Sequence, residues 1–343
     1  MGSTRGPRRS RAPGRAGGSG HRGAGGSPRG RTIDVTYPAP LTTADGRPAG
    51  ILHDGGDEPR SHSPRPFMYP VTTPSGRNVA DYRPADHPWH WGLGIAISNI
   101  TVDAQQHPVN LWGGPTYQDG HGYVQLPNNG MQRVVGSRHG PAGTEQQLEW
   151  RAADGKTFLV EKRTWTAGTV QAGGAEWFRT SVRSRWANTS GGPLAFGSPT
   201  AAGRPNAGYG GFFLRLPVSF DGASIIAPPV APPAGQDVGT PPVGAGTVSE
   251  EEAMGSERSW LALRANDASV LMVAATETPG APTPWFVRTS GTPMLCAAPF
   301  FHTEMRLGAA EATEWGWSLL VADGRVQDSA FGEAAEAAGA VRP

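Results

Sequence analysis

Residues 178–186 constrain the chain more than any other stretch. Phe178, Val182 and Trp186 fall on one parity, and Arg179, Arg183 and Arg185 on the other. A period of two belongs to a strand with one apolar and one polar face, because successive side chains point to opposite sides of a sheet. Phe158 and Val160 alternate in the same way with Leu159, Glu161 and Arg163, which places the charged pair on the polar face. Residues 94–99, 121–126, 131–137, 146–151, 211–220, 269–276, 294–300 and 314–322 are further strand candidates. Turn signals separate them: Thr73-Pro74-Ser75-Gly76, Asn128-Asn129-Gly130, Ala153-Asp154-Gly155 and Ser190-Gly191-Gly192. Many short strands with no long helical period predict an all-β fold, a large antiparallel sandwich or barrel. The 49 Gly and 33 Pro dilute the hydrophobic fraction to 37%, which still suffices for a core.

The ends of the chain differ from its middle. Residues 1–31 carry eight arginines and no acid, with little to bury, and are expected to form a disordered Arg/Gly-rich arm. The remaining 22 basic residues face 29 acidic ones, so residues 32–343 carry a net charge of −7. That balance argues against a broad nucleic-acid surface. Residues 32–326 read as one sandwich domain. The Pro- and Gly-rich segment 227–247 is a long loop leaving that sandwich, since the strands after it are too few to stand alone. Residues 327–343, rich in Ala and Glu, predict a short C-terminal helix and tail. One cysteine, Cys296, precludes an internal disulfide. No apolar run reaches the ~18 residues of a membrane span. The Arg8-Arg9 pair lacks the apolar stretch of a signal peptide, so a cytoplasmic location is the default expectation.

Candidate chemistry concentrates in Asp81 to Leu93, which holds His87, Trp89, His90 and Trp91 between prolines 84 and 88. Proline fixes the backbone and suits a preorganised site on a loop. His87 and His90 are either metal ligands, a general acid and base, or structural supports for the tryptophans. A second cluster is Trp112-Gly113-Gly114-Pro115-Thr116-Tyr117, followed by His121 at the start of a strand. In a third, Phe300 to Glu304, strand geometry would point His302 and Glu304 the same way, as an oriented acid–base pair or an ordinary polar pair. Arg204 and Tyr209 in the Gly-rich segment 203–211, and Arg288 after Pro284-Trp285-Phe286-Val287, suit an oxygen-rich ligand. The segment 203–211 lacks the Lys-Ser/Thr ending of a phosphate loop. There is no nicotinamide fingerprint, nucleophile elbow or Cys-based metal motif.

The blocks Arg65-Pro66-Phe67, Thr73 to Arg77, Arg83-Pro84-Ala85-Asp86-His87-Pro88-Trp89-His90, Trp112 to Tyr117, Gly208 to Phe213 and Pro284 to Arg288 together resemble the bacterial PmoA-like family. The resemblance covers most of residues 33–324. Many members read Asp-His-Pro-His-His-Arg-Gly-Leu where this chain has Trp89 and Trp91 in place of a His and the Arg. It implies a sandwich similar to the galactose mutarotase fold, with carbohydrate bound on a sheet and acid–base work by His87, His90, His121, His302 and Glu304. Arg83, Trp89, Tyr117, Arg204, Tyr209 and Arg288 would position the small-molecule substrate. The family's label, methane oxygenase, implies an alternative: a metal-dependent oxidoreductase binding a divalent or copper ion through His87, His90, His121 and His302. A third expectation is a non-catalytic sugar-binding domain with Trp89, Trp91, Trp112 and Trp285 as its stacking platform.

Overall fold

A computed structural model describes Gly2 and residues 33–103, 105–140, 143–229, 245–276, 278–279 and 281–339. The expected arm at 1–31, most of the loop at 227–247 and the last residues of the tail lie outside them. The chain divides into two units, Met1–Arg31 and Thr32–Pro343, and the second is described here.

Among the described residues, ten strands form one antiparallel sheet. Its order is Ile33–Asp34, Met131–Gly140, Gly143–Arg151, Thr157–Ala172, Ala175–Asn188, Ala312–Asp323, Ala268–Ala274, Trp260–Arg264, Ser224–Ala227 and Gly246–Val248. Eight strands form a second: Glu257–Arg258, Thr283–Arg288, Met294–Ala297, Gly211–Arg215, Leu93–Ala96, Phe67–Val71, Pro48–His53 and Ala39–Thr42. The inner faces of the two sheets share one hydrophobic core, in which Phe212 stacks on Trp317 and Trp186 packs on Trp150, Phe196 and Trp315. The expected all-β sandwich is the fold observed. Smaller sheets of three and two strands decorate it.

Parity decides the rest of the packing. In Ala175–Asn188, Phe178, Val182 and Trp186 point into the core, as the sequence pattern requires. In Thr157–Ala172 Phe158 is buried as expected, but from Leu159 onward the phase is the reverse of the expected one. Glu161 and Arg163 are buried, while Val160 is exposed. The carboxylate is satisfied, though Arg163 Nη1 is left without a partner among the described residues: Arg163 Nε donates to Glu161 Oε1 at 2.7 Å, and Trp150 Nε1 donates to Oε2 at 2.7 Å. Arg163 Nη2 also donates to Gln132 Oε1 at 2.8 Å, and Gln132 Nε2 reaches the Ile95 carbonyl at 2.9 Å. A polar bridge thus joins the sheets through the core. Mutual pairing is what permits such charges inside.

Both outer faces are covered, by different means. The C-terminal helix Asp328–Ala337, expected from the sequence, lays Ala330, Phe331, Ala334 and Ala335 on the ten-stranded sheet. The eight-stranded sheet carries a separate cluster on its outer face, including Phe213, Phe286, Met294 and Cys296. Their strand neighbours Phe212, Leu214, Trp285 and Leu295 belong to the main core. Three expected strands are shorter than their apolar runs: 94–99 breaks after Ala96, 211–220 ends at Arg215 before a 3-10 turn at Val218–Phe220, and 294–300 ends at Ala297. No helix among the described residues is long and apolar enough to cross a membrane.

Candidate functional site

The outer face of the eight-stranded sheet is the floor of a cavity of about 350 Å³. Phe286, Arg288 and Met294 rise from its strands, loops supply His87, Trp89, His90, Trp112, Arg204 and Tyr209, and Tyr123 comes from the two-stranded sheet, on strand Gly122–Val124. Phe286 and Arg288 are two apart on one strand, so alternation sends both to the cavity and Trp285 and Val287 to the core.

The histidines meet because the chain turns twice. His87 N–H bonds the Pro84 carbonyl at 3.0 Å, and His90 N–H bonds the His87 carbonyl at 2.9 Å. Pro88 occupies the second position of the latter turn, where its fixed φ is favoured. The turn stacks the two imidazoles at 4.6 Å with 20° between their planes. His87 Nδ1 lies 2.7 Å from Asp86 Oδ2. A carboxylate only accepts, so the neutral ring carries its proton on Nδ1 and leaves Nε2 as an acceptor. His90 is 3% exposed, and its Nδ1 has no hydrogen-bond partner in the protein. Burial, reinforced by positive neighbours at His87, Arg215 and Arg65, holds its pKa well below the ordinary histidine value. His90 is therefore neutral at physiological pH.

Two further elements fix this turn. Arg65, 2% exposed, donates to the His62 and Ser63 carbonyls at 3.0 Å and to the Trp89 carbonyl at 2.7 Å, with its guanidinium 4.6 Å over the Trp91 ring. Burial pushes its pKa down to about 9. From the other side, Gly113 and Gly114 lie against Trp89. A Cβ on Gly114 would sit 2.5 Å from the indole ring, and one on Gly113 would sit 2.6 Å from Trp89 Cβ. Both glycines have positive φ. Buried Asn110 holds that loop, accepting from the N–H groups of Trp112 at 2.9 Å and Gly113 at 3.0 Å.

The far wall is phenolic and cationic. Tyr209 and Tyr123 hydroxyls are 2.8 Å apart, and Arg204 Nη1 donates to the Tyr123 hydroxyl while its guanidinium stacks 4.7 Å over that ring. Burial, and then the neighbouring Tyr123, raise the Tyr209 pKa well above the ordinary phenol value, so it keeps its proton.

Residues 41–336 match a family described as a family of unknown function, DUF6807. The chain belongs to that family. This family, and not the PmoA-like one that the motif blocks resemble, is the one the match names, and it attaches no activity to the chain. No curated protein matches its sequence. Among solved structures, an alpha-galactosidase from Lactobacillus brevis is 7% identical with a TM-score of 0.37, covering 86% of this chain and 40% of that one. A glycoside hydrolase family 97 enzyme from Pseudoalteromonas sp. strain K8, in complex with acarbose, is 9% identical with a TM-score of 0.34, covering 83% and 35%. A polysaccharide lyase is 9% identical with a TM-score of 0.32, covering 89% and 34%. The DUF6807 chain thus spans well under half of each, and likenesses this loose assign neither site nor substrate.

The DUF6807 structure brings six of the expected site residues to the cavity: His87, Trp89, His90, Arg204, Tyr209 and Arg288. The others lie elsewhere. Arg83, at φ 56°, turns away to Glu58, 3.2 Å from its Nη1. Tyr117 and His121 line a separate shallow depression, although the Tyr117 ring packs 5.7 Å from that of Tyr123. His302 and Glu304 do not alternate in a strand. The strand ends at Ala297 and the chain turns, with Phe301 N–H bonding the Ala298 carbonyl at 3.0 Å. His302 Nε2 instead donates to the Gly255 carbonyl at 2.8 Å, and Glu304 is exposed. The expected four-histidine metal set is corrected accordingly: no three His, Cys, Asp or Glu side chains among the described residues converge as ligands. The tryptophan platform reduces to Trp89 and Trp112, because Trp91 and Trp285 are core residues at 1% and 0% exposure. Tyr123, Phe286 and Met294 were not singled out from the sequence. Phe286 was within reach of it, two residues before Arg288.

Proposed function

We propose that this DUF6807 protein is an enzyme acting on a carbohydrate or similar polyoxygenated small molecule by proton transfer, with His87 as the acid–base group. The Asp86–His87 pair carries this conclusion, because it opens beside a neutral His90 onto an aromatic cavity of small-molecule size. Asp86 fixes the His87 tautomer and stabilises the imidazolium that forms when Nε2 takes a proton. His87 then returns that proton to the rearranged substrate or to a leaving oxygen. His90 presents an uncharged imidazole stacked against the His87 ring, which adds no charge beside the proton that His87 carries. Tyr209 donates its retained proton to a second oxygen. Trp89 and Trp112 offer the apolar faces on which sugar C–H groups stack. Glu304, outside the cavity, is replaced in this scheme by Asp86 as the orienting carboxylate.

The test begins with binding. Neutral and charged mono- and disaccharides are titrated while tryptophan fluorescence is followed, since Trp89 and Trp112 line the cavity. Products are then sought by NMR. His87→Ala is expected to bind with little change and to lose turnover by about 10²–10⁴-fold. Unchanged turnover in that variant, or no binding across the panel, overturns the proposal. Binding by wild-type protein without any product makes it a sugar-binding module instead.

A further inference from the structure

Resting on that carbohydrate reading, we infer that the sugar this cavity takes is anionic, carrying a carboxylate or phosphate that Arg288 and Arg204 hold. The domain is net acidic, at −7 over residues 32–343, yet its cavity is cationic. Arg204 and Arg288 both line it, and no Asp or Glu does. Neither guanidinium has an ion-pair partner among the described residues. Arg204 rests on the Tyr123 ring and hydroxyl, and Arg288 lies 5.7 Å over the Phe286 ring. Other arginines of this domain are neutralised by carboxylates, Arg47 by Asp45 and Glu176, Arg77 by Asp267, and Arg138 by Glu145. Aromatic stacking preorganises a guanidinium while leaving its N–H edge for a planar or tetrahedral anion.

Strand register adds a third cation. Arg288 pairs with Met294 and Met294 with Arg215, so all three side chains share a row on the outer face of the sheet. Arg215 is 4% exposed, and its Nε and Nη1 have no partner in the protein. Its nearest negative charges are Asp86 and Asp81, neither close enough for an ion pair. A buried guanidinium in the same row, with no ion pair among the described residues, adds positive charge behind the cavity floor, which Met294 lines. Of the other titratable groups, His90 is neutral and Tyr209 protonated, and Asp86, the carboxylate bonded to His87, does not itself line the cavity.

The experiment measures dissociation constants by calorimetry on the full chain with glucuronate, galacturonate, glucose 6-phosphate, glucose and galactose. At least one acidic sugar is expected to bind about tenfold or more tightly than its neutral counterpart. That advantage should shrink as salt rises from low to physiological concentration. Glucuronate or galacturonate binding identifies the carboxylate, and glucose 6-phosphate the phosphate. Arg288→Gln and Arg204→Gln should each remove most of the advantage, read as the ratio of acidic to neutral affinity within the same variant, with Arg288→Lys in between. Far-UV circular dichroism confirms that each variant is folded. Equal affinity for acidic and neutral sugars overturns the anionic substrate and leaves the carbohydrate reading standing. An advantage that survives both glutamine variants overturns the assignment to these arginines. No binding by any of the five overturns both.

Discussion

Replacing Glu161 by Gln isolates one electrostatic contribution. The side chain keeps its size, so no void opens, and only the carboxylate charge is lost. Glu161 accepts from Arg163 Nε at 2.7 Å and Nη2 at 2.8 Å, from the Trp150 indole at 2.7 Å and from the Ser184 hydroxyl. Both members of the pair are fully buried, at 0% side-chain exposure. An amide in that place points its own N–H groups at donors and leaves the Arg163 charge without a counterion. Breaking a buried pair from one side costs about 3–5 kcal/mol, because the surviving charge stays out of water. Glu161→Gln is therefore expected to lower the unfolding free energy by about 3–5 kcal/mol, read from urea titration as midpoint and slope. Arg163→Met in the same chain removes the stranded charge. Since Arg163 Nη1 already lacks a partner, the double variant should be more stable than Glu161→Gln alone. A loss under about 1 kcal/mol for the single variant, or losses that simply add in the double, would refute the reasoning.

Three other outcomes are expected. Gly114→Ala forces a Cβ to 2.5 Å from the Trp89 ring at φ +65°; it should cost about 1–2 kcal/mol in backbone strain alone and weaken sugar binding, and unfolding and binding curves that overlay wild type contradict this. His90 is held neutral in the folded state, while in the unfolded chain it binds a proton near pH ~6.5. Stability should therefore be complete above that pH and fall below it, by up to about 1.4 kcal/mol per pH unit, until the folded-state value is reached. His90→Gln should flatten that part of the pH–stability curve, and an unaltered curve speaks against a buried neutral ring. Phe331, packed 5.6 Å from Trp177 and 6.4 Å from Trp260, anchors the C-terminal helix; Phe331→Ala should cost about 3–5 kcal/mol in urea unfolding, and a loss under about 1 kcal/mol would mean the helix contributes little.

What the sequence discloses depends on how local the deciding contact is. The strand at residues 178–186 is legible because solvent and core sort its arginines and aromatics by parity. The neighbouring strand misleads for the same reason. Glu161 and Arg163 look like a solvent face until Trp150, Ser184 and Gln132, from other strands, supply the bonds that let them be buried. The His87–His90 pair is legible because one turn and one proline bring it together. The His302–Glu304 pair is not, because the end of a strand depends on where its neighbours stop pairing, which no local pattern records. Arg204, Tyr209 and Arg288 stand out by residue type. Their meeting in one cavity with His87 comes from sheet order, in which Thr283–Arg288, Met294–Ala297, Gly211–Arg215 and Leu93–Ala96 are successive neighbours.

That sheet order also sets how such a cavity can change over descent. Every strand under it serves two environments residue by residue: Trp285 and Val287 fill the core while Phe286 and Arg288 face the cavity. One inserted residue within Thr283–Arg288 would exchange the two sets, sending a guanidinium into the core and an indole towards the ligand. The floor can therefore drift only by substitution, one position at a time and at constant length. The turns at 83–91, 112–117 and 203–209 carry no such parity, so gains and losses of residues between relatives should collect there, and ligand preference with them.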